Sequence, residues 1–120
     1  MKNNNYLFIM TNVSDNADKA ALPLVLANAA LADDKDALLW LTLDGVQLAK
    51  QGAANDVLPA SFAPVKELLD VFIENGGRIG VCPPCAKTHD VTDDNKIEHA
   101  EWMGGVALLN ETQHRQTFTF

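Results

Sequence analysis

The sequence predicts an α/β protein in which a mostly parallel β-sheet has helices on both faces. Short apolar runs typical of buried strands alternate along the chain with segments of helical character. The first two runs, Tyr6–Met10 and Ala37–Leu43, are apolar almost throughout, as expected for strands that are buried on both faces. Because 120 residues suffice for one core and are too few for two, we expect a single domain over residues 1–120.

The first strand is followed by a polar loop, residues 11–16, and then by a segment rich in Ala and Leu that predicts a helix, Ala17–Ala32. Pro23 lies inside this segment, where a proline costs about 3 kcal/mol. We therefore expect the main part of the helix to begin near Pro23, or the helix to kink there. A charged turn, residues 33–36, leads to the second strand.

The middle of the chain predicts two helices separated by a long loop. Asp44 turns the chain into a short helix, Gln47–Gln51, and residues 52–59 form the loop. Pro64 begins the clearest helix of the sequence, which ends at the glycines 76–77. Its apolar residues recur at helical spacing: Val65, Leu68, Leu69, Phe72 and Ile73.

The last third of the chain predicts a short buried strand around Ile79, followed by a helix that begins at the prolines 83–84. Residues 97–103 are expected to be partly extended, with Trp102 and Met103 in the core. The last two predicted elements are a helix, Val106–Thr112, and a half-covered strand, Gln116–Phe120.

Charge and hydropathy exclude several classes of partner. The net charge of −7 leaves no basic stripe to bind nucleic acid or an anionic membrane. No stretch approaches the roughly 20 apolar residues of a membrane span, and the run Tyr6–Met10 is too short for a signal peptide. We therefore expect a cytoplasmic protein, in which a Cys-x-x-Cys pair is redox-active, carries sulfur or binds metal.

That pair, Cys82 and Cys85, contains both cysteines of the chain and lies between a predicted strand and a predicted helix. Unpaired backbone N–H groups and the positive end of the helix dipole favour the reactive thiolate at such a position. Thr11, Asp44 and Cys82 follow three consecutive strands. Because sites in parallel sheets gather at the carboxyl ends of strands, this convergence predicts a site there, with Cys82 and Cys85 as its reactive residues.

Other interpretations of the cysteines remain open. One interpretation is that the two thiols lie three positions apart by chance and have no shared role. A structural zinc site needs four ligands, and His89 and His99 do not complete a common spacing with a single Cys-x-x-Cys, so we expect no metal. A thioredoxin-type dithiol is the closer alternative, although two strand–helix units precede the pair and no tryptophan comes directly before it.

Several polar residues are candidates for the lining of a thiol site. His89 could promote ionisation of Cys82, although a solvated surface histidine is at least an equal alternative. Lys87 and Arg78 could supply positive charge to a thiolate, although lone cations are more often surface residues. For Asp44 we expect the structural role of a helix cap, and for Thr11 and Asn12 the roles of loop and cap residues. The candidate lining residues are Thr11, Asn12, Asp44, Lys87 and His89.

Taken together, these segments resemble the DsrE/DsrF-like family, which includes DsrE, TusD and YchN-type small proteins. The resemblance covers nearly the whole chain and rests on four features in order. These are the strand that ends at Thr11, the sequence Asp44-Gly45-Val46-Gln47-Leu48, the segment Ile79–Ala86 with its cysteines, and Trp102-Met103-Gly104 before a last helix and strand.

The resemblance implies a three-layer α/β/α fold with a five-stranded sheet, assembled as a homotrimer or homohexamer. It also implies that Cys82 matches the cysteine that accepts sulfur as a persulfide and passes it to another protein. Cys85 matches a second cysteine of the YchN-like branch that DsrE itself lacks, and it could assist or resolve the persulfide.

The leading hypothesis is therefore a sulfur carrier or sulfurtransferase that uses Cys82, with sulfur donor and acceptor proteins as partners and no cofactor. One alternative is a dithiol–disulfide redox protein that uses the Cys82/Cys85 pair. Another is a non-catalytic oligomeric binding module in which the cysteines are incidental.

Overall fold

The computed structural model describes residues 4–120. Five strands form one sheet in the order β4-β3-β2-β1-β5, and every pair of neighbours is parallel. The strands are β1 (Asn5–Met10), β2 (Asp36–Leu41), β3 (Arg78–Val81), β4 (Ala100–Trp102) and β5 (Gln116–Thr119). The predicted α/β class is confirmed, and the sheet is parallel throughout.

Four α-helices and two 3₁₀ helices connect the strands. The α-helices are α1 (Ala17–Ala32), α2 (Val65–Glu74), α3 (Pro83–Thr88) and α4 (Gly105–Thr112). The 3₁₀ helices are Leu43–Ala49 and Ala53–Asp56, and the second of them lies inside the predicted loop 52–59. Within residues 4–120, no helix is long and apolar enough to cross a membrane.

The sheet separates two apolar clusters of unequal size. On one face, Phe8 and Met10 of β1 join Leu39 and Leu41 of β2 in a large core that includes α1, α2 and Ala86 of α3. On the other face, a small cluster of Leu7, Leu38 and Met103 packs with Leu108 of α4. This alternation along β1 and β2 is what a strand buried on both faces requires.

Helix α1 runs unbroken through Pro23, so the expected start near that residue is wrong. The Asn16 side chain caps the helix by accepting a hydrogen bond from the Lys19 N–H. Pro23 is buried together with Ala20 and Leu24 on the face that packs into the core. Burial of that face offsets the single helical hydrogen bond that proline cannot donate.

The chain leaves β2 earlier than predicted, and the helix expected over 47–51 lies instead at Leu43–Ala49. Leu43 has a positive φ of 51°, which turns the backbone toward the end of β1. Gly45 then packs so closely that a Cβ there would lie 2.2 Å from the carbonyl oxygen of Met10. Only glycine fits this turn.

The two edge strands are more exposed than predicted. Met103 is buried, with 2% of its surface exposed, but the prediction that Trp102 lies in the core is wrong, because Trp102 is 39% exposed. Its indole N–H donates to Asp93, and Lys96 lies over its ring. The residues of β5 are likewise exposed along the strand instead of half-covered, since β5 forms the opposite edge of the sheet.

Candidate functional site

The two cysteines lie where β3 ends and α3 begins. The Cys82 N–H donates to the carbonyl of Leu41, which continues the pairing of β3 with β2 by one residue. Cys82 is the N-cap residue of α3, and the prolines 83–84 occupy the first helical positions, where their missing N–H groups are not needed. Both thiols are partly exposed.

The two sulfur atoms are in direct contact. The Cys82 thiol donates a hydrogen bond to the Cys85 sulfur, with 3.3 Å between the two Sγ atoms. The Thr42 hydroxyl lies 3.5 Å from the Cys85 sulfur, and the Leu43 N–H also hydrogen-bonds to it. Thr42 and Leu43 directly follow β2, so the ends of two neighbouring strands build the site.

These contacts shift the pKa values of the two thiols in opposite directions. Burial raises the pKa of Cys82, and the neighbouring Cys85 thiol adds to that rise. Hydrogen bonds to Cys82 from the Cys85 N–H and the Thr42 side chain act to lower that pKa, but they are outweighed. Burial also acts to raise the pKa of Cys85, but hydrogen bonds from Thr42, Cys82 and the Leu43 N–H outweigh it and lower that pKa. The contacts therefore favour the thiolate on Cys85, whereas the helix start had led us to expect it on Cys82.

Asp44 connects two loops at the same edge of the sheet. Its carboxylate accepts hydrogen bonds from the N–H groups of Val13 and Ser14, at 2.7 and 2.9 Å, and from the side chains of Ser14 and Gln47. Burial opposes the ionised form, but these hydrogen bonds lower the pKa of Asp44 to about 2. The N-cap residue of the 3₁₀ helix is Thr42, so the capping role expected for Asp44 is wrong.

Thr11 and Asn12 lie at the end of β1, which β2 separates from the cysteine strand. The Thr11 hydroxyl donates to the carbonyl of Phe120, on the side of β5. The Asn12 side chain accepts a hydrogen bond from the Asp15 N–H and so stabilises its own loop. Both residues have the structural roles that the sequence favoured.

Of the candidate cations, Arg78 lies away from the sulfur atoms. Arg78 begins β3 at the opposite end of the strand, where it forms ion pairs with Glu101 and Glu111, each at 2.8 Å. It cannot supply charge to the thiols, so that prediction is wrong. Lys87 is exposed, and His89 follows the last turn of α3. Outside the pair, the hydrogen bonds described for the two thiols come from residues 42 and 43.

No group of three or more His, Cys, Asp or Glu side chains within residues 4–120 is arranged to hold a metal ion. An open groove of about 560 Å³ lies beside α3. It is lined by α3, by residues 90–92 and by Trp102. Neither Cys82 nor Cys85 is among the residues that line this groove.

Sequence reasoning missed Thr42 and the Leu43 N–H. Both lie inside the run that was predicted to be strand to its last residue, Leu43. The rule that sites gather at the carboxyl ends of parallel strands could have identified them, as it identified Cys82, because Thr42 directly follows β2 just as Cys82 follows β3. Their backbone turn, which removes them from the strand, has no local sequence pattern.

Comparison with protein-family models matches residues 4–120 to the DsrE/DsrF-like family. The chain belongs to the DsrE/DsrF-like family. Relatives include the uncharacterized protein MK0008 of Methanopyrus kandleri, 32% identical over 86% of this chain and 82% of that protein. The uncharacterized protein MJ0760 of Methanocaldococcus jannaschii is 30% identical over 87% of this chain, which matches only 38% of that longer protein.

Two solved structures share the fold of this DsrE/DsrF-like chain. The ychN protein of E. coli superposes with a TM-score of 0.77 over 97% of this chain and 99% of its own, at 19% identity. MTH1491 of Methanobacterium thermoautotrophicum, a protein of unknown function, has a TM-score of 0.70 over 97% and 98% of the two chains, at 12% identity. At these identities the likeness concerns the fold, and it confirms the predicted three-layer α/β/α architecture.

Proposed function

We propose that this protein is a sulfur carrier or sulfurtransferase in which Cys82 accepts sulfane sulfur and Cys85 assists or resolves it. The observation that carries the proposal is the pair of partly exposed thiols, 3.3 Å apart, at the carboxyl end of β3. Membership of the DsrE/DsrF-like family supports a function of the sulfur-relay type. Direct contact between the sulfurs gives each thiol a partner for proton or sulfur exchange.

In the proposed reaction, Cys82 sulfur attacks the outer sulfur of a sulfane donor. A bond forms between the two sulfurs while the bond from the outer sulfur to the rest of the donor breaks, and Cys82 becomes a persulfide. An acceptor thiolate then attacks the outer sulfur, which leaves Cys82 as a thiolate. Alternatively, Cys85 thiolate attacks the inner sulfur, which forms a disulfide and releases sulfide.

The proposed assembly is a homotrimer or homohexamer of single-domain chains, because proteins of this family are often oligomeric. The proposal places the protein in the cytoplasm, where thiols stay reduced, with a donor and an acceptor protein as its partners. Size-exclusion chromatography with light scattering tests the assembly, and a monomer at micromolar concentration would contradict it.

The same geometry favours a second candidate, a dithiol–disulfide redox protein. Two sulfurs 3.3 Å apart need little movement to form a bond of about 2.05 Å. This candidate requires a reversible two-electron couple with a defined reduction potential and no stable sulfur adduct.

Intact mass separates these candidates. Reduced protein is incubated with thiosulfate or polysulfide beside the Cys82→Ser and Cys85→Ser variants. A gain of one sulfur atom that is lost in Cys82→Ser and kept in Cys85→Ser supports the carrier with the roles given above. Loading that persists in Cys82→Ser contradicts the assignment of Cys82. A loss of two hydrogens in the wild type supports the redox couple only if Cys85→Ser gains no sulfur, because a carrier whose persulfide is resolved by Cys85 would stay loaded in that variant. No change in mass in any of the proteins favours a binding module.

A further inference from the structure

In the hydrogen bond between the two thiols, Cys82 is the donor and Cys85 is the acceptor. The Cys82 sulfur is itself hydrogen-bonded by the Cys85 N–H and by Thr42, but it receives no hydrogen bond from the Cys85 thiol. The Cys85 sulfur accepts the hydrogen bond from Cys82 and also faces the Thr42 hydroxyl and the Leu43 N–H. Cys85 sulfur is therefore surrounded by groups that can donate to it. Such an arrangement stabilises negative charge on Cys85 and keeps the proton of the pair on Cys82.

We infer that Cys85 is the proton acceptor for Cys82 during sulfur uptake, and that Thr42 is the positioning residue that holds Cys85 sulfur ready for that proton. The inference rests on the proposed function, and it assigns the nucleophile and the base to different thiols. It explains how Cys82 can react although its own pKa is raised by burial. A base at 3.3 Å removes the proton as the attack proceeds.

With thiosulfate as the donor, one sulfur atom passes to Cys82 and one proton passes from Cys82 to Cys85. Cys82 sulfur bonds to the outer sulfur of thiosulfate while the sulfur–sulfur bond of thiosulfate breaks and sulfite leaves with its electron pair. The Cys82 proton passes to Cys85 thiolate. The products are the Cys82 persulfide anion, neutral Cys85 thiol and sulfite, so charge and protons are conserved without another oxidant or reductant. The new Cys85 thiol can then donate to the persulfide.

Ionisable groups near Cys85 do not offer another source of this stabilisation. The 3₁₀ helix Leu43–Ala49 packs against α3, and its ionisable side chain, Asp44, is bound by Val13, Ser14 and Gln47. On and after α3, Lys87 is exposed and His89 is the C-cap residue. The hydrogen bonds that lower the pKa of Cys85 come from Thr42, Cys82 and Leu43.

Thiolate titration tests this assignment without any sulfur donor. The reduced protein is titrated by thiolate absorbance and, at each pH, labelled briefly with iodoacetamide. Trypsin releases both cysteines in the peptide 79–87, and fragmentation locates the label. We expect Cys85 to be labelled first, at a lower pH than Cys82.

Three variants isolate the contribution of the hydroxyl. Thr42→Val keeps the branched shape and removes the hydroxyl, Thr42→Ser retains it, and Cys82→Ser leaves Cys85 as a single thiol. We expect Thr42→Val to reduce the thiolate fraction and the thiosulfate loading rate near neutral pH by about three- to tenfold, since one hydrogen bond is lost. Thr42→Ser is expected to restore both, and the Thr42→Val shift is expected to persist in the Cys82→Ser background.

The inference is overturned if Cys82 is labelled before Cys85, or if Thr42→Val titrates and loads like the wild type. It is also overturned if folded Thr42→Ser behaves like Thr42→Val, because the hydroxyl would then have no role. Failure of the proposed function appears differently: the wild type would take up no sulfur at any pH, whatever its titration. Should Thr42→Val fail to fold, the order of labelling in the wild type still decides the assignment.

Discussion

Asp44 provides a quantitative test of how the strand-end loops are held together. The substitution Asp44→Asn keeps the size of the side chain, removes its charge and places an amide N–H₂ among groups that themselves donate hydrogen bonds. The carboxylate has a pKa of about 2 in the folded protein against an ordinary value of 3.8. At 1.36 kcal/mol per pKa unit, the Asp44 charge contributes at most about 2.5 kcal/mol to the free energy of unfolding, and its partial exposure reduces this contribution to roughly 1–2 kcal/mol.

The pH dependence follows from the direction of the shift. Because the folded pKa is below the unfolded one, the stabilisation by Asp44 is fully present above the unfolded pKa and is lost as pH falls through the folded pKa. We therefore expect the difference in unfolding free energy between wild type and Asp44→Asn to be constant from about pH 7 to about pH 5. It should shrink between about pH 4 and about pH 2.

Urea denaturation of both proteins across this range measures the difference. The matched control is Asp70→Asn, which removes an exposed carboxylate paired with Lys66 on α2. Surface pairs of this kind are worth roughly 0.5 kcal/mol or less, so this control should change stability little. The reasoning is refuted if Asp44→Asn costs no more than Asp70→Asn near neutral pH. A difference that is equally large at about pH 7 and about pH 2 would also refute it, because the carboxylate charge would then not be its source.

Two further predictions concern packing. Gly45→Ala should destabilise the protein by several kcal/mol, on the order of an overpacked core site, because the new Cβ would meet the Met10 carbonyl. The control Gly105→Ala has open space around the new Cβ, so in thermal unfolding it should be neutral or slightly stabilising. Trp102→Phe should remove most of the acrylamide-quenchable tryptophan fluorescence and lower the free energy of unfolding by about 1 kcal/mol or less. Trp40→Phe retains the exposed Trp102, so its fluorescence should still be readily quenched, because the Trp40 that it loses is part-buried and donates to the Met103 carbonyl. Equal quenching of the two variants would contradict the placement of Trp102 at the surface.

The parts of the fold that follow from local pattern were predictable. Strand β1 was predicted from Tyr6 and begins at Asn5, and the helix opened by Pro64 was observed as Val65–Glu74. Both depend on residues close in sequence: a run of apolar side chains in one case and helical spacing in the other. The cysteine turn was located in the same way, because proline and cysteine stand next to each other in the chain.

Residues whose roles depend on distant partners were not predictable from such patterns. Asp44 binds Val13 and Ser14, about thirty positions earlier, and nothing around Asp44 indicates those partners. Trp102 lies on a strand of three residues at the edge of the sheet, where a neighbouring strand is paired on one side, and its side chain is exposed. Local hydrophobicity does not distinguish a central strand from an edge strand.

The sheet order determines which polar residues can serve the thiols. Leu41 and Val81 are paired in the parallel register of β2 and β3, so the residues that follow them, Thr42 and Cys82, emerge side by side. Thr11 follows β1, one strand further away, and its hydroxyl bonds instead toward β5. Arg78 starts the cysteine strand at its opposite end. The register of β2 and β3 thus brings Thr42 next to the sulfur pair and places Arg78, a cation suggested by the sequence, at the far end of the strand. We therefore expect the reactivity of Cys85 to depend on the Thr42 hydroxyl.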